Sequence, residues 1–283
     1  MRRLSPFRQA ASQFLLILVG LFVLIPLVGM VRLAFDVKLS GAPTEFRLIP
    51  EQIGLDVFRR VWETPSQSLS FLGLLRNSLI VSVGAALASI ALGSSMAYAF
   101  ARFHFSGRKA GLFGLLVGTL LPPVALMTPL YILLSIIGIR TSLLGLILVY
   151  TSFSMPFCIW NMRAAFQSVS QDLEEAAALD GASAWTTFTR ITLPLALPAI
   201  SVAALVAFLA GYSEFAIGWL FIEKSSNVTL AMALWGARTM GLTPWSELAA
   251  LALLMSIPVI LIFIFLQRYF LDRFLLISTV EKD

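Results

Sequence analysis

Charged residues are scarce in this chain of 283 residues: Asp, Glu, Lys and Arg together make up 12% of it. An ordinary soluble domain carries about a quarter, so this composition excludes that class. Hydrophobic residues make up 59%, which indicates a polytopic membrane protein. The net charge is +5, but no basic stripe is interleaved with aromatic residues, and we expect no nucleic-acid partner.

Cysteine and histidine each occur once, as Cys158 and His104. A lone cysteine excludes an intrachain disulfide, and a lone histidine cannot complete a zinc site with it. Cys158 lies in an apolar stretch, where we expect a buried small residue. The chain also lacks the Gly-x-x-x-x-Gly-Lys-Ser/Thr loop that cradles nucleotide phosphates. We therefore expect no metal or cofactor on this chain, and any ATP that drives it should be hydrolysed by another chain.

Six apolar stretches are long enough to cross a bilayer, which takes about 20 residues each. They cover 13–35, 75–101, 111–137, 143–166, 195–222 and 248–271. The sequence thus predicts an all-α polytopic membrane protein with six transmembrane helices in a single domain over 1–283. An even number of spans places both termini on the same side of the membrane.

Lys and Arg are unequally divided between the two sides that these spans define. One side holds Arg2, Arg3, Arg8, Arg102, Arg108, Lys109, Arg163, Arg190, Arg268, Arg273 and Lys282. The short turns of the other side hold Arg140, Lys224 and Arg238. The positive-inside rule makes the first side cytoplasmic, with both termini there. It also makes 36–74 an extracytoplasmic segment and 169–194 a cytoplasmic loop.

The loop over 169–194 is a polar, small-residue segment with helix signals at both ends. Ser170 is typical of an N-cap, and Gly181 suits the position after a helix C-terminus, where positive φ is needed. Ser183 can cap a second short helix that extends to Thr189, and Pro194 suits the start of the next long helix. The composition alone fits an ordinary solvated connection. The small side chains of the alanines after Glu175 would also let another protein approach the helix closely. Glu174 and Glu175 would then offer negative charge to basic groups on that protein.

The order of residues in this loop resembles the EAA loop of ABC importer permeases, by which a membrane subunit docks onto a cytoplasmic ATPase. The matching residues are Glu174, Glu175, Ala176, Ala177, Asp180, Gly181, Leu193 and Pro194. Further segments are similar to the second permease subunit of maltose-type carbohydrate importers. These are Asn77-Ser78, Ala97-Tyr98-Ala99-Phe100-Ala101-Arg102, Leu121-Pro122-Pro123 and Ser213-Glu214-Phe215.

The resemblance implies a type I ABC importer permease in the cytoplasmic (inner) membrane of a prokaryote. Its partners would be a second homologous permease, two ATPase subunits that hold ATP and Mg, and an extracytoplasmic solute-binding protein. The substrate would be a sugar or oligosaccharide, with another solute such as glycerol phosphate as the alternative. An ATP-independent secondary transporter leaves the loop unexplained. The chain departs from the family at its C-terminus, where Leu275–Asp283 stands in place of a glycine-rich basic tail, so the resemblance leaves a tail contact with the ATPase open.

Glu214 is an acidic residue inside an apolar span. A charge there costs about 2.5–3.5 kcal/mol on insertion scales, so it should face protein or a water-filled cavity. With the neighbouring Tyr212 and Ser213 it is a candidate for the wall of the translocation path; a structural hydrogen bond to another helix is the equal alternative. Pro122 and Pro123 should bend or break the third span, either as part of a gate or as a passive packing kink.

Overall fold

The computed structural model describes residues 6–39, 41–43, 47, 49–63, 65, 69–239 and 244–280. Throughout these ranges the secondary structure is helical, apart from one isolated bridge between Asp36 and Ile53. The helices in chain order are α1 (Pro6–Phe35), α2 (Asp56–Glu63), α3 (Phe71–Arg102), α4 (Arg108–Leu120), α5 (Pro123–Ile136), α6 (Leu143–Ser168), α7 (Gln171–Leu179), α8 (Ala184–Thr187), a π-helix (Phe188–Thr192), α9 (Leu193–Leu195), α10 (Leu197–Ser213), α11 (Ala216–Phe221), a 3₁₀-helix (Ser225–Asn227), α12 (Leu230–Thr239) and α13 (Trp245–Val280).

Four helices in the described part of the chain are long and apolar enough to cross a membrane. They cover Phe7–Phe35, Phe71–Arg102, Leu143–Ser168 and Trp245–Gln267. Two bent pairs add up to two more: α4 meets α5 at 102°, and the helical segment Ala184–Leu195 meets α10 at 79°. The predicted all-α membrane fold is confirmed, with four long spans, or up to six if each bent pair is one span.

The break between α4 and α5 falls at the predicted proline pair. Pro122 takes an extended conformation as the N-cap of α5, and Pro123 opens that helix. Neither residue has a backbone N–H to continue α4, so the helix ends at Leu120. Pro129 lies inside α5 without interrupting it.

The chain forms two compact units, 1–71 with 234–257 and 72–233 with 258–283. In the first unit, a buried ion pair joins Arg32 to Asp36 at 3.3 Å at the end of α1. The amphipathic helix α2 lies within the predicted extracytoplasmic segment 36–74 and buries Val57 and Val61. Its Arg60 pairs with Glu247 of α13 at 2.7 Å, which ties this segment to the start of the last long helix.

In the second unit, α3 and α6 pack side by side and run parallel. The Thr151 hydroxyl donates a hydrogen bond to the Ala85 carbonyl, and the Arg163 side chain donates one to the Phe100 carbonyl. Residue numbers therefore increase in the same direction along both helices. Cys158 is fully buried, as predicted, and lies near Gly93. The helix α10 approaches closely as well, because a Cβ on Gly211 would stand 3.1 Å from the Ser82 Cα.

At the start of α3, hydrogen bonds hold the loop that follows α11. The Asn77 amide donates to the carbonyls of Ser226 and Val228, at 2.8 and 2.9 Å. The Ser78 hydroxyl accepts a hydrogen bond from the backbone N–H of Leu230, at 2.8 Å, and so begins α12. The Asn-Ser pair that opens the second span therefore holds a connection about 150 residues further along the chain.

Candidate functional site

The loop over 169–194, hereafter the coupling loop, begins with a short capped helix. The Ser170 hydroxyl accepts a hydrogen bond from the Asp172 N–H, which confirms it as the N-cap of α7. At the other end, the Gly181 N–H donates to the Ala178 carbonyl and the Ala182 N–H to the Ala177 carbonyl. Gly181 has φ of +82°. This pair of bonds around a left-handed glycine is a Schellman motif, which ends α7 as Gly181 predicts.

The second half of the coupling loop differs from the predicted short helix. Ser183 does cap α8 through the Thr186 N–H, but α8 ends at Thr187 and a π-helix follows over Phe188–Thr192. Leu193 and Pro194 then open the short helix α9, and the chain turns sharply at Ala196 before α10. Neither Ser183 nor Pro194 predicts the wider turn of this π-helix.

The tip of the coupling loop presents an apolar and acidic surface. Leu179 and Trp185 are 90% and 69% exposed, and the side chains of Glu175, Ala176 and Asp180 are exposed as well. No residue of α7 is buried. Large exposed apolar side chains on a polar loop are typical of a surface that another protein covers.

Glu174 does not share this exposure. Its carboxylate pairs with the Arg102 guanidinium at 3.0 Å, and the two side chains are 14% and 8% exposed. It also accepts hydrogen bonds from the Thr192 hydroxyl at 2.6 Å and the Tyr98 hydroxyl at 3.4 Å. The expectation that Glu174 offers its charge to a partner is therefore wrong, because that charge is directed into the chain.

A groove of about 410 Å³ separates the coupling loop from the end of α3. Tyr98 and Arg102 line it on one side, and Glu174, Glu175 and Ala178 on the other. The arrangement holds a mixture of aromatic, basic and acidic groups. It leaves Glu175 as the exposed carboxylate at its edge.

A second cavity, of about 590 Å³, lies among α4, α5, α6 and the junction of α10 with α11. Its wall is largely apolar, with Met127 and Phe153 among its members, and Thr119, Ser152 and Glu214 supply polar groups. The volume is in the range of about 300–1,000 Å³ that is usual for small-molecule sites. Pro123 also lines this cavity, which places the break of the third span at its wall.

Glu214 lies at the break between α10 and α11 and is held by three donors. The Tyr150 hydroxyl donates to it at 2.6 Å, and the backbone N–H groups of Ile217 and Gly218 donate at 2.9 and 3.4 Å. The carboxylate therefore makes the structural hydrogen bond to another helix that the sequence left open, and it also borders a cavity; its place on the translocation path stays a prediction. Tyr150, which lies on α6, carries no sequence signal that pairs it with Glu214.

The other candidates for the path are placed differently. Tyr212 is 1% exposed and stacks on Phe208, with ring centroids 5.3 Å apart. Ser213, although exposed, and Pro122 are outside the set of residues that line the cavity. In the described part of the chain, no three His, Cys, Asp or Glu side chains come together as a metal site.

Similarity to known proteins indicates a family for this chain. The sequence profile of a family described as "Binding-protein-dependent transport system inner membrane component" matches residues 89–275. The chain is 29% identical over 281 residues to the maltose/maltodextrin transport system permease protein MalG of Yersinia pestis, with 92% of each chain covered. It is 29% identical over 257 residues to the trehalose/maltose transport system permease protein MalG of Thermococcus litoralis, with 89% of this chain and 90% of that one covered.

Solved structures agree on the fold. A bacterial ABC transporter involved in the import of the acidic polysaccharide alginate superposes with a TM-score of 0.75 at 22% identity, covering 95% of this chain and 100% of the other. The alginate transporter in complex with a periplasmic protein gives a TM-score of 0.65 at 20% identity, covering 92% and 93%.

Proposed function

Because the chain belongs to the family of binding-protein-dependent transport system inner membrane components, we propose that it forms half of the translocation pathway of an ATP-driven importer of a sugar or oligosaccharide. The observation that carries this proposal is the exposed coupling loop, with its Schellman turn at Gly181. The chain is a multi-pass protein of the inner membrane. A loop of this kind has no purpose in a transporter that works alone.

The coupling loop lies on the cytoplasmic side in this proposal. Arg102, Arg108 and Arg163 lie at the same end of α3, α4 and α6 as the coupling loop, whereas Arg140 and Lys224 lie at the other end. The excess of basic residues near the coupling loop supports a cytoplasmic position, with the termini on that side. Arg2, Arg3 and Lys282, which the orientation also uses, lie outside the described residues.

The coupling loop docks onto an ATPase subunit, which binds ATP and Mg and performs the hydrolysis. Leu179 and Trp185 supply apolar contact area, and Glu175 supplies a carboxylate for a basic group on the ATPase. Aromatic and large apolar side chains of this kind dominate the binding energy of many interfaces. The absence of a phosphate-binding loop from the sequence fits this division of labour.

The complete importer contains a second homologous permease, two ATPase subunits and an extracytoplasmic solute-binding protein. In the helix α1, Phe14, Leu16 and Phe22 are 68–76% exposed, which leaves an apolar surface available within the membrane plane. Such a surface suits lipid or another apolar helix.

The cavity beside Glu214 belongs to the translocation path. Its wall suits a neutral polyol, since Phe153 offers a flat apolar face and the hydroxyl oxygens of Ser152 and Thr119 can accept hydrogen bonds. The relatives from Yersinia pestis and Thermococcus litoralis are named for maltose, maltodextrin and trehalose, which supports a sugar as the solute.

The test is reconstitution of the chain in proteoliposomes, alone and with a second permease, an ATPase and a binding protein encoded beside it. We expect solute-stimulated ATP hydrolysis and uptake only with the full set. Glu175→Lys should release the ATPase, because it places a positive charge against a basic surface. Uptake by the chain without any ATPase, or normal ATPase binding by the Glu175→Lys importer, would overturn the proposal.

A further inference from the structure

Three elements, α3, α7 and the π-helix, meet around the Glu174 carboxylate at one end of the second unit. Arg102 Nε lies 3.0 Å from both carboxylate oxygens and comes from the last turn of α3. The Thr192 hydroxyl comes from the end of the π-helix and donates at 2.6 Å. These contacts tie the coupling helix α7 to a membrane span on one side and to the segment leading into α10 on the other.

Arg102 extends the same connection to α6. Its Nη2 donates to the carbonyl of Val169 at 2.9 Å, and Val169 is the residue that ends α6. The Tyr98 ring, one turn earlier on α3, packs against Phe188 at 4.8 Å and Phe166 at 6.0 Å between centroids. Charged and aromatic contacts thus join the ends of α3 and α6 to both halves of the coupling loop.

The burial of this ion pair sets it apart within the coupling loop. Asp172, Glu175 and Asp180 are exposed, whereas the Glu174 and Arg102 side chains are 14% and 8% exposed. Removing charges from water is unfavourable unless each has a partner and further hydrogen bonds. A loop that only binds another protein has no need for such a contact, because its exposed residues suffice for binding.

We propose that Glu174 and Arg102 are positioning residues that make the coupling loop move as one body with the ends of α3 and α6. The proposal rests on the docking of the loop onto an ATPase. A displacement of the loop by the ATPase then reaches two membrane spans directly through the ion pair and the Val169 carbonyl. Without the pair, the ATPase still binds through the exposed tip, but its cycle drives α3 less effectively, because only the covalent links from the loop to α6 and α10 remain.

The first experiment compares Glu174→Gln with the wild type in the reconstituted importer. Glutamine keeps the size of the side chain and removes its charge. We expect the ATPase to co-purify normally and to hydrolyse ATP, while solute imported per ATP falls at least about fivefold, the lower end of the usual coupling between linked sites. Glu223→Gln is the matched control, because it breaks the Arg140–Glu223 ion pair of the same unit, far from the coupling loop, and should leave import per ATP unchanged.

A double-mutant cycle with Arg102→Met tests whether the two residues act through one contact. If they do, the double variant should import no less solute per ATP than the worse single variant, since the same interaction has already been removed. Independent, multiplying losses would overturn the proposal. Full coupling in Glu174→Gln would overturn it too.

Two further results separate this proposal from the docking of the loop. Loss of the ATPase from the Glu174→Gln importer would make Glu174 a binding residue and overturn the positioning role, while docking stands. An ATPase that fails to bind the wild-type importer would overturn both. If Glu174→Gln does not accumulate in the membrane, Arg102→Lys decides, because lysine keeps the positive charge but cannot hold both the Glu174 carboxylate and the Val169 carbonyl as the guanidinium does. A partial loss of import per ATP with normal ATPase binding is expected, and unchanged coupling would overturn the proposal.

Discussion

Replacing Glu214 with glutamine should leave the free energy of unfolding within about 1 kcal/mol of the wild type, because two opposing effects nearly cancel. Hydrogen bonds to a charged acceptor contribute about 1.5–3 kcal/mol each, against about 0.5–1.5 for neutral pairs, so glutamine forfeits roughly 3 kcal/mol over its three donors. It also removes a charge that costs about 2.5–3.5 kcal/mol to place in a membrane span. The three donors are Tyr150, Ile217 and Gly218.

Alanine at the same position should behave differently, since it removes the acceptor altogether. The three bonds are worth about 4.5–9 kcal/mol together, and removing the membrane charge returns about 2.5–3.5, so the net loss should be about 1–6.5 kcal/mol, with a midpoint near 4. Tyr150→Phe removes one hydroxyl and leaves the carboxylate charged, which should cost about 1.5–3 kcal/mol. The expected order of stability is wild type close to Glu214→Gln, then Tyr150→Phe, then Glu214→Ala.

Denaturant titration of the solubilised protein measures this order, with the six tryptophans as the fluorescent probe. Equal destabilisation by glutamine and alanine would refute the reasoning, because it would mean that the charge itself carries the stability. A neutral Tyr150→Phe would refute it as well, since the 2.6 Å bond would then contribute nothing.

Three further expectations follow from the same contacts. Gly181→Ala should cost roughly 1–2 kcal/mol through its left-handed φ of +82°, and Gly181→Pro should also delete the N–H that donates to Ala178 and uncouple ATP hydrolysis from uptake, as coupled transport assays would reveal. With Cys158 changed to Ala, a cysteine at position 214 should react with impermeant thiol reagents from outside more readily when the ATPases are trapped closed on ATP; a constant rate would remove Glu214 from the alternating-access path. Asn77→Ala leaves two carbonyls without their donor and should lower the unfolding free energy by about 1–3 kcal/mol in the same denaturant titration, whereas a change below 0.5 kcal/mol, roughly that of an ordinary surface substitution, would show that these hydrogen bonds are unimportant.

The spans were predictable because their signals are local. The stretch 75–101 lies within α3, and the proline pair at 122 and 123 marks the break of the third span. A separate break within the predicted fifth span 195–222, between Ser213 and Ala216, has no proline or glycine of its own that predicts it. It depends on Tyr150, 64 residues away, whose hydroxyl holds the carboxylate that caps α11. The sequence did not predict the short helix α2 either, because the segment 36–74 has the composition of a connecting loop.

The coupling loop shows the same division between local and distant causes. Ser170, Gly181 and Ser183 define their own helix ends, so their roles follow from residue type and spacing. The partner of Glu174 lies 72 residues earlier in the chain, and no pattern in the loop distinguishes this glutamate from its neighbour Glu175. Only packing reveals that adjacent identical residues face opposite environments. The single domain over 1–283 and the sides of the membrane assigned to 36–74 and 169–194 stay predictions.

The π-helix at Phe188–Thr192 makes this end of the molecule tolerant of one change in chain length. Its hydrogen bonds reach one residue further than those of an α-helix, so the turn accommodates one residue more at nearly the same rise. Deleting one residue inside this turn would close it as a regular α-helix and leave the segments on either side in nearly the same orientation. The same deletion inside a regular α-helix would rotate everything after it by about 100°, since an α-helix has about 3.6 residues per turn. A relative that is one residue shorter within the π turn would thus still direct its counterpart of Thr192 toward Glu174, and the entry into α10 would keep its direction.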